Sequence, residues 1–153
     1  MRYLMIDRIL EWEAGSWIKG TKSVAMSEDF LEYHFPGNPV MPGVLLLEAA
    51  VQLAGWLEAA GSDFRDWFLP TRVRKCNFYG FVLPGDRVEF DVHAVSKAEP
   101  GVRAYQCVGM VDGKRKVKAE FEGERVALAE LEDSAQQRML FQVLSGKTGF
   151  HHG

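Results

Sequence analysis

The run from Tyr33 to Ala60, YHFPGNPVMPGVLLLEAAVQLAGWLEAA, restricts the fold of this chain more than any other stretch. Pro36, Pro39 and Pro42 lack N–H groups and fix their own φ, and Gly37 and Gly43 admit angles that other residues avoid, so the first third is a rigid loop. From Val44 to Ala60 there is no proline and most residues are good helix formers, with Gly61 placed as a C-terminal stop. At 1.5 Å per residue that is a rod of roughly 25 Å. Apolar residues occupy every side of it, the mark of a helix buried all round. Glu48 and Gln52 interrupt the apolar surface. A buried carboxylate needs a partner or a chemical role, and His34 in the loop just upstream is the candidate to share that role.

Length and charge exclude several classes. The 153 residues suit one domain with a sizeable core. A net charge of -3 argues against a general nucleic-acid binder. Cys76 and Cys107 do not make a disulfide framework and read as buried thiols in a reduced, cytoplasmic setting. Arg2, Asp7 and Arg8 interrupt the N-terminus before any apolar run of signal-peptide length, and Glu48, Gln52 and Glu58 argue against the long helix being a membrane span. The four histidines, His34, His93, His151 and His152, show no zinc spacing, so neither a metal nor another cofactor is implied. Ser145-Gly146-Lys147-Thr148 ends like a phosphate loop, but Phe141 stands where that pattern needs glycine.

Around the central helix the chain reads as sheet. Tyr3–Trp12 and Trp17–Met26 form a hairpin about Glu13-Ala14-Gly15, and Ser27 caps a short helical turn that leads into the His34 loop. Asp63 to Pro70 is an aromatic-rich linker, with Arg72–Phe78 an additional strand. Val88, Phe90, Val92 and Ala94 alternate with polar residues, Val102–Val111 follows, and Asp112-Gly113 is a strong hairpin signal before Val117, Ala119 and Phe121. Connections this short require antiparallel pairing. The expected fold is α+β, an antiparallel sheet of about five to seven strands wrapped around one long helix. Residues 1–129 form this domain, and 130–153 add an amphipathic helix to Leu144, with Ser134 and Gln137 as a capping box, and a mobile tail. One sheet covers one side of the helix, so a second copy of the chain is expected to cover the rest.

His34, Glu48 and the helix N-terminus form the constellation with chemical content. The free N–H groups at the helix start, that of Gly43 among them, can polarise a carbonyl oxygen, which proton abstraction beside a thioester requires. A neutral imidazole suits the base, and a carboxyl in an apolar wall keeps its proton readily enough to act as an acid.

His34-Phe35-Pro36-Gly37, Pro39, Met41-Pro42-Gly43-Val44, Glu48-Ala49 and Gln52 closely resemble the signature of the 3-hydroxyacyl-acyl-carrier-protein dehydratases of type II fatty-acid synthesis, which have the hotdog fold. Weaker matches at Ile6-Asp7-Arg8, Leu83-Pro84-Gly85-Asp86 and Val111-Asp112-Gly113 extend the resemblance over Leu4 to Val126. It implies a cofactor-independent hydro-lyase that converts (3R)-hydroxyacyl thioesters on acyl carrier protein to trans-2-enoyl thioesters. His34 would remove the C2 proton, and Glu48 would help the C3 hydroxyl leave as water. The N–H groups of Gly43 and Val44 would hold the thioester carbonyl, and Gln52, Phe35 and Pro42 would support the site. Such sites form across a homodimer, and the dimers often assemble into trimers of dimers. The chain departs from the family's common pattern at Asn77, often Arg, and lacks its Pro-His-Arg segment. Met41 is typical of an isomerising branch, but that branch has Asp where this chain has Glu48, which favours the non-isomerising type. An acidic carrier protein needs a basic landing site, for which Arg72, Arg74 and Lys75, or Lys114, Arg115, Lys116 and Lys118, are candidates beside the reading as a solvated strand face. The rival functions are a hotdog acyl thioesterase and a non-catalytic acyl-binding hotdog subunit.

Overall fold

A computed structural model describes residues 4–96 and 99–146. It contains β1 (Arg8–Glu13), β2 (Trp17–Ser23), α1 (Gly43–Gly61), β3 (Asp66–Phe78), β4 (Arg87–Ala94), β5 (Arg103–Val111), β6 (Lys114–Ala127) and α2 (Ser134–Leu144), with single 3-10 turns at Asp29–Leu31 and Leu128–Glu130. The strands make one antiparallel sheet in the order β1-β2-β4-β5-β6-β3, and α1 lies across its inner face, chiefly against β3. This is the hotdog architecture expected from the sequence.

The hairpins form where turn chemistry dictates. Asp112 and Gly113 both take positive φ, 49° and 77°, the conformation that lets a two-residue turn follow the twist of β5 and β6. The inward residues of β4, β5 and β6, among them Val88, Phe90, Val92, Tyr105, Cys107, Val117, Ala119 and Phe121, are buried against α1. Close approach of helix and sheet depends on small residues. A Cβ on Gly20 of β2 would come within 2.7 Å of Leu53, and one on Gly55 of α1 within 2.3 Å of the Trp67 ring.

Several boundaries move from their sequence-based positions. Asp66–Pro70 is no linker but the first part of β3, and Phe68 is wholly buried there while Trp67 crosses Trp56 at 5.1 Å. Pro70 is tolerated because β3 is an edge strand, where a missing N–H costs no ladder bond. Ser27 makes no cap: the residue before the 3-10 turn is Glu28. Asp133, not Ser134, caps α2, its carboxylate accepting from the N–H groups of Ala135 and Gln136. Gly61 is the last residue of α1 instead of its stop. The tail expected to be mobile falls, from residue 147 on, outside the described residues.

α2 folds back onto the domain through Phe141, which meets Trp12, Trp56 and Phe64 at centroid distances of 5.5–5.9 Å. By length and composition α1 would suffice to cross a membrane, but it is the core helix here.

Candidate active site

The loop that carries His34 is braced from three sides. Asn38 and Phe35 exchange backbone hydrogen bonds, the N–H of Val40 donates to His34 O, and the N–H of Met41 donates to Val82 O at 2.8 Å. The turn Leu83-Pro84-Gly85-Asp86 is itself held by the Asp86 carboxylate, which accepts from the N–H of Leu83. On the other side the buried Lys22 donates to Glu28 at 2.7 Å and lies 3.5 Å from Asp7, whose carboxylate also accepts from the N–H of Ser23. These contacts give both acids a physical purpose: Asp7 helps fasten the entry to the His34 loop, and Asp86 the turn next to the Val82 carbonyl that holds its exit at Met41.

The His34 ring is half-buried and stacks on Phe35 with centroids 4.1 Å apart. Its Nδ1 lies 2.8 Å from Val40 O. A carbonyl can only accept, so Nδ1 carries the proton, and in the neutral ring Nε2 is left with a free lone pair. Pro42, in extended conformation, ends the loop and stands at the N-cap of α1. Gly43 and Val44 follow as the first helical residues, whose N–H groups have no intrahelical acceptor. Phe78 packs over Gly43, where a Cβ would come within 2.8 Å of its ring. The Val44 side chain is 67% exposed.

Glu48 departs from the sequence-based expectation. Its carboxylate is not sunk in an apolar wall of its own chain but exposed, because the sheet covers the opposite face of the N-terminal half of α1. From Leu53 to Ala59, by contrast, the helix is buried all round. Gln52, one turn on, donates through Nε2 to Glu48 Oε1 at 3.0 Å, and its Oε1 accepts from the N–H of Met5 at 2.9 Å. The Met5 N–H thereby orients the amide so that its donor side faces the carboxylate. Glu48 and Gln52 open onto a cleft of about 260 Å3 with Leu4, Trp56, Trp67, Leu128 and Leu131 among its walls. His34 does not line that cleft, so one chain brings Glu48 and Gln52 together and holds His34 apart from them, in the loop that precedes α1.

The buried acid of α1 is Glu58, which in the sequence speaks only against a membrane span. It is 5% exposed and binds Arg103 at 2.6 Å, Arg125 at 3.0 Å and the Tyr105 hydroxyl. Burial by itself pushes its carboxyl up, but hydrogen bonds from Tyr105 and Arg103 and the charges of Arg103 and Arg125 bring it net below the usual carboxylate value. A signal for this cluster was present. Arg103 shares the inward alternation of Tyr105 and Cys107, and Arg125 that of Phe121, and an inward cation calls for an inward acid.

Two of the candidate carrier-docking residues are already engaged: Arg74 lies 2.8 Å and Arg72 3.9 Å from Glu122, while Lys75 is exposed. Burial pushes the Cys107 thiol up to about 12, so it stays protonated and is no nucleophile. Among the described residues no group of three or more His, Cys, Asp or Glu side chains is gathered as a metal site would require.

A family model described as a FabA-like domain matches residues 1–120. The chain belongs to the FabA-like family. Among curated proteins, the 3-hydroxyacyl-[acyl-carrier-protein] dehydratase FabZ of Haemophilus influenzae is 34% identical over 114 residues, 73% of this chain and 76% of that protein. The FabZ of Aliarcobacter butzleri is 36% identical over 124 residues, 77% of this chain and 84% of its own length. Among solved structures, a Streptococcus mutans protein bound to acetyl CoA superposes with a TM-score of 0.64 at 15% identity, covering 83% of this FabA-like chain and 94% of that one. The PaaI protein of Escherichia coli, from a phenylacetic acid degradation operon, gives 0.61 at 12% identity, with 77% and 82% covered. At these identities the structural likeness establishes the fold.

Proposed function

We propose that this protein is a 3-hydroxyacyl-[acyl-carrier-protein] dehydratase, eliminating water from (3R)-hydroxyacyl thioesters to give trans-2-enoyl thioesters in fatty-acid or related synthesis. Membership of the FabA-like family and the FabZ relatives support the reaction. The single structural observation that carries it is His34 held through Nδ1 by Val40 O in the loop that leads into α1, which leaves Nε2 with its lone pair.

In this reading the thioester carbonyl oxygen accepts from the N–H groups of Gly43 and Val44, which stabilise the negative charge that gathers there as the C2–H bond breaks. His34 Nε2 takes that proton. The electron pair forms the C2–C3 double bond as the C3–O bond breaks, and Glu48 supplies the proton that turns the departing hydroxyl into water. The proton gained by His34 equals the one lost by Glu48, so one proton exchange resets the pair. Gln52 holds the Glu48 carboxyl in one orientation, and Phe35 and Pro42 fix the ring and the loop.

The partner chain is an integral part of the proposal. Glu48 lies on a helix face that its own chain leaves open, and Val44, Phe35, Phe78 and Phe81 are exposed around the helix start. β3, an outer strand of 13 residues, offers a free edge for a second copy. A homodimer that places His34 of one protomer against Glu48 of its partner is the arrangement these features support, with trimers of dimers a further step. The carrier protein would dock through Lys75 or the Lys114–Lys118 hairpin, in a cytoplasmic setting that suits two free cysteines. Sedimentation equilibrium at micromolar concentration is expected to give at least twice the 17.2 kDa chain mass, and a single-chain mass would refute the shared site.

Incubation with a 3-hydroxyacyl carrier-protein substrate is expected to produce a species lighter by one water, read by mass spectrometry, with no free thiol released. Thiol release without water loss would favour the thioesterase instead. Failure on every chain length would leave only an acyl-binding role.

A further inference from the structure

The family match ends at residue 120, yet the cleft beside Glu48 is completed by residues that come later. Leu128, Leu131, Glu132 and Gln137 line it together with Leu4, Glu48, Gln52 and Trp56. This segment is pinned in place. The N–H of Leu128 donates to Arg65 O at 2.8 Å, Leu128 and Gln137 are buried, and Phe141 is packed among three aromatic rings of the domain.

Trp56 and Trp67 also line the cleft and pack on each other. Trp67 is seated so closely on Gly55 that no β-carbon fits between them, and Trp56 crosses it edge to face. The space left, about 260 Å3, lies just below the ~300–1,000 Å3 usual for small-molecule sites.

We propose that residues 128–137 are the outer wall of the acyl-chain pocket and, with Trp56 and Trp67, set the chain length this protein accepts. The inference rests on the dehydratase reading and deepens it. If Glu48 protonates the hydroxyl on C3, the reacting carbons lie at Glu48. The apolar surfaces of Leu4, Trp56, Trp67, Leu128 and Leu131 then extend from that point. Carbons beyond C3 are the substrate part whose chemistry matches such walls, whereas the phosphopantetheine arm is polar and enters from the carbonyl side, at the N-terminus of α1.

Leu131 is the residue to test, because it sits half-exposed at the rim and can change without disturbing the core. The measurement is kcat/KM over a graded series of 3-hydroxyacyl thioesters. Leu131→Ala is expected to raise the long-to-short ratio about tenfold and Leu131→Trp to lower it by a similar factor, the effect of one or two methylenes in an apolar pocket. Trp67→Ala should move the ratio in the same direction as Leu131→Ala. A substrate analogue with a photoreactive diazirine at the chain end is expected to label the peptide spanning 128–137. Dehydration by the unaltered protein, with ratios unmoved in all three variants and labelling elsewhere, overturns the wall while leaving the dehydratase intact. Absence of dehydration at every length in the unaltered protein overturns the reading beneath it.

Discussion

His34→Ala is expected to cut the rate of dehydration by about 10²–10⁴-fold, the range for losing a general base, at a folding cost of only ~1 kcal/mol for its one hydrogen bond to Val40 O. Activity within tenfold of the unaltered protein would remove His34 from the mechanism. Glu48→Gln should be comparably inactive, because the amide keeps the shape but has no proton to give. Mixing the two inactive chains separates the possible arrangements. If each site takes its base from one protomer and its acid from the other, a mixed dimer holds one site with both groups intact, and random pairing restores about a quarter of the sites. If base and acid came from one chain, the mixture would stay inactive. Recovery on mixing therefore reads the geometry of the site without a structure of the dimer.

The second large effect concerns stability. Glu58→Ala leaves Arg103, Arg125 and the Tyr105 hydroxyl without their common acceptor, and removing one member of a buried ion pair costs ~3–5 kcal/mol. The arginine side chains are 33% and 49% exposed, and water will solvate them in part, so the lower end, about 3 kcal/mol, is expected. For a chain of this length that corresponds to a fall in Tm of roughly 6–12 °C. The pH dependence has a definite sign. Glu58 is held below the usual carboxylate value of 4.5, so its contribution is complete above that pH and is lost as pH falls through the folded-state value. Urea titrations below pH 4.5 should show stability declining in the unaltered protein and declining less in Glu58→Gln. Identical pH slopes in the two proteins would mean that the cluster contributes no linkage.

The sequence was most legible where local chemistry leaves little choice. The proline-bounded loop, the helix from Val44, the Asp112-Gly113 turn and the alternation of β4 to β6 all follow from backbone restrictions or period-two patterning. What it concealed depends on tertiary neighbours. Pro70 reads as a strand breaker until one knows that β3 lies at the sheet edge. Glu48 and Glu58 look alike on an apolar helix, and only the sheet decides which is covered. Glu58 has the burial and the arginines that a buried acid calls for, while Glu48 has Gln52 and an open face. His34 and the helix start were legible because prolines and glycines fix that segment locally. The cleft wall at Leu128 and Leu131 was not, since it arises from a segment that folds back from far along the chain.

The irregularities of β3 bear on how the chain avoids unwanted company. A long outer strand ordinarily templates indiscriminate sheet extension, the first step toward aggregates. Here Pro70 removes one donor, the pairing with β6 skips a residue between Pro70 and Arg72 and again between Val73 and Lys75, and Arg72, Arg74 and Lys75 add positive charge along the strand. Any newcomer must match that interrupted spacing and tolerate those cations. An identical strand running antiparallel meets the same interruptions in reverse order, whereas an unrelated strand finds only a faulty template. The edge thus works as a filter that discourages promiscuous pairing.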